Sequence, residues 1–223
     1  MIKSKVKIIV FDFDGVIIES NKLKYDAFFS IFAADYKNII KAVLTKHREE
    51  SRHSIIKQIL IELKKNASSQ IDDIDQEVLF YSEKYNNIVE QRAVTCNEIR
   101  GAEIALKILS TQYPLFINSS TPLQPLRRIL AKRGILNYFK NVYGGPKSKI
   151  ENLSEILEEE DKSEGDVLVV GDGWSDLNSA QQKGCLFIGI HNEFNKFIKN
   201  NSFIVLKDLV KLPKLAKSIN IKS

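Results

Sequence analysis

The stretch VKIIVFDFDG, residues Val6–Gly15, decides the fold of this chain. It opens with a short apolar run rich in β-branched residues, which is typical of a strand buried in a parallel sheet. The run is cut by Asp12, and Asp14 and Gly15 follow. Two carboxylates two residues apart can face one side of the sheet, and a glycine permits a sharp turn away from it. The stretch therefore predicts a buried strand whose carboxyl end carries reactive side chains.

The spacing of apolar residues changes after this strand. From Ile17 to Val94 apolar residues recur at spacings of three and four with charges between them, and no glycine or proline occurs there. This pattern predicts successive amphipathic helices. After Gly101 helical and strand patterns alternate, which predicts βαβ units and a parallel sheet. We therefore predict an α/β core of residues 1–16 and 95–223 with an all-helical insertion at residues 17–94.

The amino-acid composition limits the classes of protein to which this chain can belong. The chain has 223 residues, of which 43% are hydrophobic and 27% charged, so it can bury a core. Its apolar runs are shorter than the ~18 residues of a membrane span, and the first residues lack the pattern of a signal peptide. Two distant cysteines favour a reduced compartment, so we expect a soluble, cytoplasmic protein that does not contact a membrane.

The net charge of +5 raises the question of nucleic-acid binding. The helix at Arg127–Arg133 and the lysine-rich tail at Lys207–Lys222 are the segments that would carry it. However, the 33 basic and 28 acidic residues are mostly interspersed, so a nucleic-acid partner is not expected. A positive field also suits a small anionic substrate.

Polar residues follow each predicted strand of the core. The carboxyl ends of parallel strands meet at one edge of the sheet, where ligands bind. Three carboxylates gathered there would repel one another unless they shared a cation, and hard oxygen ligands combined with a substrate phosphate suit Mg²⁺. The alternative is that these residues are ordinary caps, turns and solvated lysines. The residues at the predicted strand ends are Asp12, Asp14, Ser119, Ser120, Thr121, Lys147, Lys149, Asp172 and Asp176.

In this order the residues resemble the four motifs of the haloacid dehalogenase superfamily of phosphohydrolases. The matching segments are DFDGV (Asp12–Val16), INSS (Ile117–Ser120), GPKSK (Gly145–Lys149) and VGDGWSDL (Val170–Leu177). The resemblance implies a Rossmannoid parallel sheet with helices on both faces. The helical insertion resembles the cap of the phosphoglycolate phosphatase and β-phosphoglucomutase branch, which chooses the substrate.

The resemblance also implies roles for the acidic residues. Asp12 would be the nucleophile and a metal ligand. Asp14 would be the general acid and base, and its main-chain carbonyl would be a second ligand of Mg²⁺. Asp172 would be the third ligand, and Asp176 a second acid that holds the metal's water or the lysine.

The second and third motifs supply the phosphate-binding groups. Ser119, with Ser120 beside it, would bind the phosphoryl oxygens. Lys149 would stabilise Asp12 and the transferring group. We prefer Lys149 to Lys147 because it immediately precedes the helical stretch IENL, although the family often has Lys-Pro where this chain has Lys149–Ile150.

In the insertion, Arg48 and Arg52 are four residues apart. On a helix their guanidinium groups would lie on one face and could bind a substrate carboxylate or a second phosphate. The alternative is a surface ion-pair stripe with Glu49 and Glu50.

The implied activity is that of a phosphoric monoester hydrolase. It would be a Mg²⁺-dependent phosphatase acting on a small phosphorylated metabolite, similar to phosphoglycolate or a sugar phosphate, through an aspartyl phosphate. A phosphomutase remains the alternative within enzymes, and a non-catalytic binding protein the alternative outside them. The acid at Asp14 argues against the dehalogenases and the transport ATPases, which lack it. We expect a monomer or a homodimer.

Overall fold

The computed structural model describes residues 6–47, 50–66, 71–194, 197 and 203–221. The chain divides into two compact units, one formed by Met1–Asn21 and Val94–Ser223, the other by Lys22–Ala93. Among the described residues no helix has the length and apolar character needed to cross a bilayer.

The first unit is built on a six-stranded sheet in which every neighbouring pair of strands is parallel. This confirms the predicted α/β fold. The strand order is β3-β2-β1-β4-β5-β6, so the strand quoted first above lies between β2 and β4. The strands are β1 (Ile8–Phe11), β2 (Leu115–Pro122), β3 (Asn141–Gly145), β4 (Val167–Gly171), β5 (Leu186–Ile190) and β6 (Ile204–Leu206).

The register of the strands brings the predicted motifs to one edge. Phe11 at the end of β1 pairs with Ile117 in β2 and with Val170 in β4. Because the strands run in the same direction, the residues that follow these three lie at the same end of the sheet. All four residues of β1 are fully buried, as a strand covered on both faces requires.

The helices of the first unit lie between successive strands along the chain, except the last helix, which follows β6. Buried positions recur on one face of each helix, for example Leu126, Ile129 and Leu130 in the helix after β2. The helices are α5 (Ala102–Ser110), α6 (Leu123–Lys132), α7 (Lys149–Glu160), α8 (Trp174–Gln182) and α9 (Leu212–Ile221).

The second unit is helical in the residues that the structure describes there, and it has a core of its own, centred on fully buried residues such as Ala27, Ile56 and Ile59. Its helices are α1 (Asn21–Ile31), whose first residue Asn21 still belongs to the first unit, α2 (Lys37–Lys46), α3 (Arg52–Asn66) and α4 (Ile74–Ala93).

The sequence predicts a division after Val16, whereas the compact units divide after Asn21. The second unit ends at Ala93. The physical reason is that the chain after β1 turns back on the first unit. The Ile17 N–H donates to the Phe13 carbonyl (2.9 Å), and the Ile99 N–H donates to the Ile17 carbonyl (3.0 Å).

Candidate active site

Asp12 follows β1 and is held at both carboxylate oxygens. Its Oδ1 accepts the Phe13 N–H at 2.7 Å, and its Oδ2 lies 3.0 Å from the Lys149 Nζ. The residue is 6% exposed. Burial raises the pKa of Asp12 well above its usual value, the charge of Lys149 opposes this, and the neighbouring Asp176 and Asp172 add to it. Asp12 is thus a buried carboxylate that needs nearby positive charge to ionise.

Lys149 supplies that charge. It is the first residue of α7, whose start is fixed by a capping box between Ser148 and Glu151. Its Nζ contacts Asp176 Oδ1 at 2.6 Å as well as Asp12. Burial alone would lower the pKa of Lys149, but the attraction of Asp12 and Asp176 outweighs it and holds the pKa above its usual value.

The other predicted lysine lies elsewhere. Lys147 is exposed, and its amine pairs with the Glu155 carboxylate. Of the two lysines of the GPKSK segment, the structure therefore brings Lys149 to Asp12.

Asp172 follows β4 and is bound by two side-chain amides. Its Oδ2 accepts from Asn21 Nδ2 at 2.7 Å and from Asn192 Nδ2 at 2.5 Å. Burial, reinforced by the charge of Asp176, raises the pKa of Asp172 to about 6, while the Asn21 amide works against that rise. A cation bound nearby would favour the ionised form of Asp172 and offset the repulsion from the neighbouring carboxylates.

Three carboxylates form a group that could hold a metal ion. One oxygen from each of Asp12, Asp172 and Asp176 lies within 4.8 Å of the others, and all three residues are buried. Clustered hard oxygen donors fit Mg²⁺, which is usually bound through one or two carboxylates together with water and phosphate. The residues present therefore fit the predicted ion.

The Asp14 side chain has a separate set of partners. Its Oδ1 accepts from the Ser20 hydroxyl at 2.6 Å, and its Oδ2 accepts from the Thr121 hydroxyl at 2.8 Å. The Ser119 hydroxyl lies farther from Oδ2, at 3.5 Å. These donors orient a buried carboxyl group, whereas metal binding was assigned to the Asp14 main-chain carbonyl and stays a prediction.

The strand β2 extends further than the sequence suggested. A threonine followed by a proline is typical of the start of a helix, but β2 continues to Pro122, which pairs with Gly145, and α6 begins at Leu123. Ser119 consequently lies within the strand, so the alternative that it caps the next helix is wrong. Burial alternates here, with Ser119 buried, Ser120 exposed and Thr121 buried, as the period of a strand requires.

Two predicted substrate residues belong to the other unit. Arg52 is the first residue of α3 in the second unit. Arg48 lies outside the described residues. Their role in substrate binding stays a prediction. The alternative for these arginines is a surface ion-pair stripe with Glu49 and Glu50. Glu50 contacts His47 and Ser54, and Glu49 lies outside the described residues.

Two of the three arginines in the segment Arg127–Arg133 donate hydrogen bonds within the first unit. The Arg133 guanidinium donates to the Val94 and Cys96 carbonyls at 3.0 and 2.9 Å. Arg127 donates to Asn141 Oδ1 at 3.0 Å.

Sequence reasoning missed three side chains that donate to the carboxylates, Ser20, Asn21 and Asn192, and it placed a fourth, Thr121, at a strand end without giving it a role. Ser20 and Asn21 follow the first motif closely and Thr121 follows the second. Asn192 lies just beyond β5, so the rule that sites form at the carboxyl ends of strands could have found it.

Comparison with known proteins identifies the class that this fold and site define. Residues 9–190 match the model of the haloacid dehalogenase-like hydrolase family. The chain belongs to this family, and the predicted resemblance is confirmed.

Individual relatives agree with that membership. A phosphoglycolate phosphatase from Vibrio vulnificus is 22% identical over 212 residues, which cover 87% of this chain and 88% of that enzyme. The HAD-hydrolase YfnB from Bacillus subtilis, solved with bound magnesium, superposes with a TM-score of 0.71 at 16% identity, over 95% of this chain and 99% of its own. CbbY from Rhodobacter sphaeroides, solved with phosphate, gives a TM-score of 0.69 at 16% identity, over 93% and 96%. The expected enzyme class, a phosphoric monoester hydrolase, agrees with the named phosphatase.

Proposed function

We propose that this chain is a Mg²⁺-dependent phosphatase that hydrolyses a small phosphorylated metabolite through an aspartyl phosphate on Asp12. The observation that carries the proposal is the arrangement of Lys149 at 3.0 Å from Asp12 beside the group of Asp12, Asp172 and Asp176. Phosphoryl transfer needs a nucleophile, positive charge around the transferring group and an acid for the leaving oxygen. This arrangement, together with Asp14, supplies each of these at one edge of the sheet.

The similar proteins support the same activity and a substrate class. One relative is named a phosphoglycolate phosphatase, YfnB was solved with magnesium, and CbbY was solved with phosphate. We take the substrate to be a small phosphate ester of the phosphoglycolate or sugar-phosphate type.

In the first half of the reaction, a carboxylate oxygen of Asp12 attacks phosphorus. The bond from phosphorus to the ester oxygen breaks, and an acyl phosphate forms on Asp12. Asp14, held by Ser20 and Thr121, gives its proton to the departing oxygen. Lys149 stabilises the negative charge that spreads over the phosphoryl oxygens.

In the second half, water attacks phosphorus of the acyl phosphate. Asp14, now a carboxylate, takes a proton from this water, the bond from phosphorus to Asp12 breaks, and phosphate leaves. The Asp12 carboxylate is restored, and the charge of Lys149 favours its ionised form against the effect of burial, which raises the pKa of Asp12.

Asp12, Asp172 and the Asp14 carbonyl would hold Mg²⁺, and Asp176 would keep Lys149 in place. When bound, the ion supplies Lewis-acid stabilisation of the phosphoryl oxygens and neutralises the gathered carboxylates.

The test is hydrolysis of p-nitrophenyl phosphate and of a panel of small phosphate esters, with Mg²⁺ and after chelation. We expect Mg²⁺-dependent release of phosphate that is lost in Asp12→Asn. Activity in Asp12→Asn, or full activity after chelation, would contradict the proposal. Conversion of a sugar phosphate to its isomer in the presence of a bisphosphate activator, without net phosphate release, would identify a mutase instead.

A further inference from the structure

Asp172 shows an arrangement that the proposed reaction does not use: two amides donate to the same carboxylate oxygen. The Nδ2 atoms of Asn21 and Asn192 lie 2.7 and 2.5 Å from Asp172 Oδ2. A carboxylate oxygen has two lone pairs, so two donors take up the hydrogen-bonding capacity of Oδ2. Both bonds have an ionised acceptor, which makes them stronger than bonds between neutral groups.

The orientation of the Asn192 amide is fixed by a second bond. Its Oδ1 accepts the Phe194 N–H at 2.8 Å, so the opposite end of the amide, the NH₂ group, is the end that faces Asp172. Farther along the chain, Phe197 is 3% exposed, and the centre of its ring lies 5.2 Å from that of Trp174. The Asn192 side chain is therefore held in place by the main chain at Phe194.

The Asn21 amide and the Asp172 carboxylate occupy space that Gly15 leaves open. A Cβ at Gly15 would lie 2.0 Å from Asp172 Oδ2 and 2.3 Å from Asn21 Nδ2. The main chain at Gly15 has φ +75°, which favours glycine. The first motif thus has a glycine where these two groups pack against the backbone.

We propose that Asn21 and Asn192 are positioning residues that restrict Asp172 to metal binding through one oxygen and thereby favour Mg²⁺ over Ca²⁺. This inference rests on the proposed role of Asp172 as a metal ligand. Mg²⁺ requires near-octahedral geometry with ligands at about 2.0–2.1 Å, whereas Ca²⁺ accepts more ligands and bidentate carboxylates. A carboxylate whose Oδ2 is engaged by two amides suits the smaller ion, since bidentate binding would require these bonds to break.

The experiment is calorimetric titration of the metal-free full-length protein with Mg²⁺ and, separately, with Ca²⁺. The variants are Asn192→Ala, the double variant Asn21→Ala/Asn192→Ala, and Asp172→Asn. Asn97→Ala is the matched control, because its exposed amide contacts Glu19 at 3.4 Å and no group of the site. Circular dichroism and thermal unfolding without metal establish that each variant is folded.

We expect the double variant to bind Mg²⁺ about 10–100-fold more weakly, as loss of residues that orient a ligand usually does. Ca²⁺ affinity should change less, so the preference for Mg²⁺ falls. Asn192→Ala should shift the preference in the same direction by a smaller factor, and it carries the test if the double variant does not fold. Asn97→Ala should match the wild type.

Asp172→Asn separates the two levels of the proposal. If it binds Mg²⁺ as the wild type does, the metal assignment itself fails. If it loses Mg²⁺ while the asparagine variants keep the wild-type preference, or lose both ions equally, the role of Asn21 and Asn192 is overturned and the assignment of Asp172 stands.

Discussion

The Lys149 Nζ atom lies 3.0 Å from Asp12 Oδ2, and both side chains are buried. The same amine contacts Asp176 Oδ1 at 2.6 Å, so one cation serves two carboxylates. In a buried setting, removal of one partner of such a group leaves uncompensated charge. This contact therefore governs both the stability of the site and the ionisation of the proposed nucleophile.

Replacement of Lys149 by methionine removes this charge while keeping an unbranched side chain. We expect kcat/KM to fall by about 10²–10³-fold or more, the range seen when a preorganised donor is removed from a reacting oxygen. Lys147→Met is the matched control, because Lys147 is exposed and pairs with Glu155. Steady-state kinetics of both variants provide the check, and equal losses would contradict the assignment.

Thr121 orients Asp14 through a hydroxyl bond of 2.8 Å. Thr121→Val keeps the shape and removes the donor, so we expect kcat to fall by about 10–100-fold, the equivalent of one hydrogen bond to a charged group. Thr121→Ser keeps the hydroxyl and should retain most of the activity. A serine variant as impaired as the valine variant would show that packing, and not the hydrogen bond, matters here.

Gly15 and Gly134 form a natural pair for substitution by alanine. Both have positive φ, but a Cβ at Gly134 would meet no atom within 4 Å, whereas one at Gly15 would overlap Asp172 and Asn21. Gly134→Ala should lower the free energy of unfolding by about 1–2 kcal/mol, the cost of left-handed backbone. Gly15→Ala should lose more stability, and its kcat/KM should fall about 10²-fold, since displacement of reactive groups by about 1 Å has effects of that size.

Urea unfolding and kinetics of the two alanine variants provide the test. If Gly15→Ala had normal activity, Asp172 would not need the space that this glycine leaves open.

The metal-free protein should become more stable as the pH falls from 7.5 to 5. The pKa of Asp172 is raised from its usual value of 3.8 to about 6, so the folded state binds this proton more tightly than the unfolded state does. The resulting gain is fully present below the unfolded pKa and lost as the pH rises through 6. It amounts to about 1 kcal/mol at pH 5.

The check on this pH dependence is urea unfolding at the two pH values after chelation. Asp172→Asn, which has no such proton, should show a smaller gain between them. Identical pH dependence in the wild type and the variant would rule out Asp172 as its source.

The sequence was enough to predict where the main carboxylates lie. Asp12 and Asp172 each follow a short apolar run, and parallel strands bring such ends to one edge. The three-residue strand β6 was not predicted, because Ile204–Leu206 is short and incompletely buried. A short stretch of this kind lacks the pattern of a covered strand.

The contacts between these carboxylates and their donors could not be predicted from local pattern. Thr121 reaches Asp14 because β2 continues to Pro122, past an irregularity in its pairing with β3. The Thr-Pro pair is instead typical of a helix start. Asn192 reaches Asp172 across 20 positions of sequence because β4 and β5 are neighbours. Contacts of this kind depend on the path of the chain after each strand, which the residue types alone do not specify.

The central claim is that Asp12 accepts the phosphoryl group, and it can be tested directly in Asp14→Asn. This variant lacks the base for the second half of the reaction, while p-nitrophenolate leaves without an acid, so the acyl phosphate should accumulate. After incubation with p-nitrophenyl phosphate and Mg²⁺ and an acid quench, mass spectrometry should find one added phosphoryl group on the peptide that contains Asp12, removable by hydroxylamine. An unmodified peptide despite a burst of p-nitrophenol, or a phosphoryl group on another residue, would contradict the account.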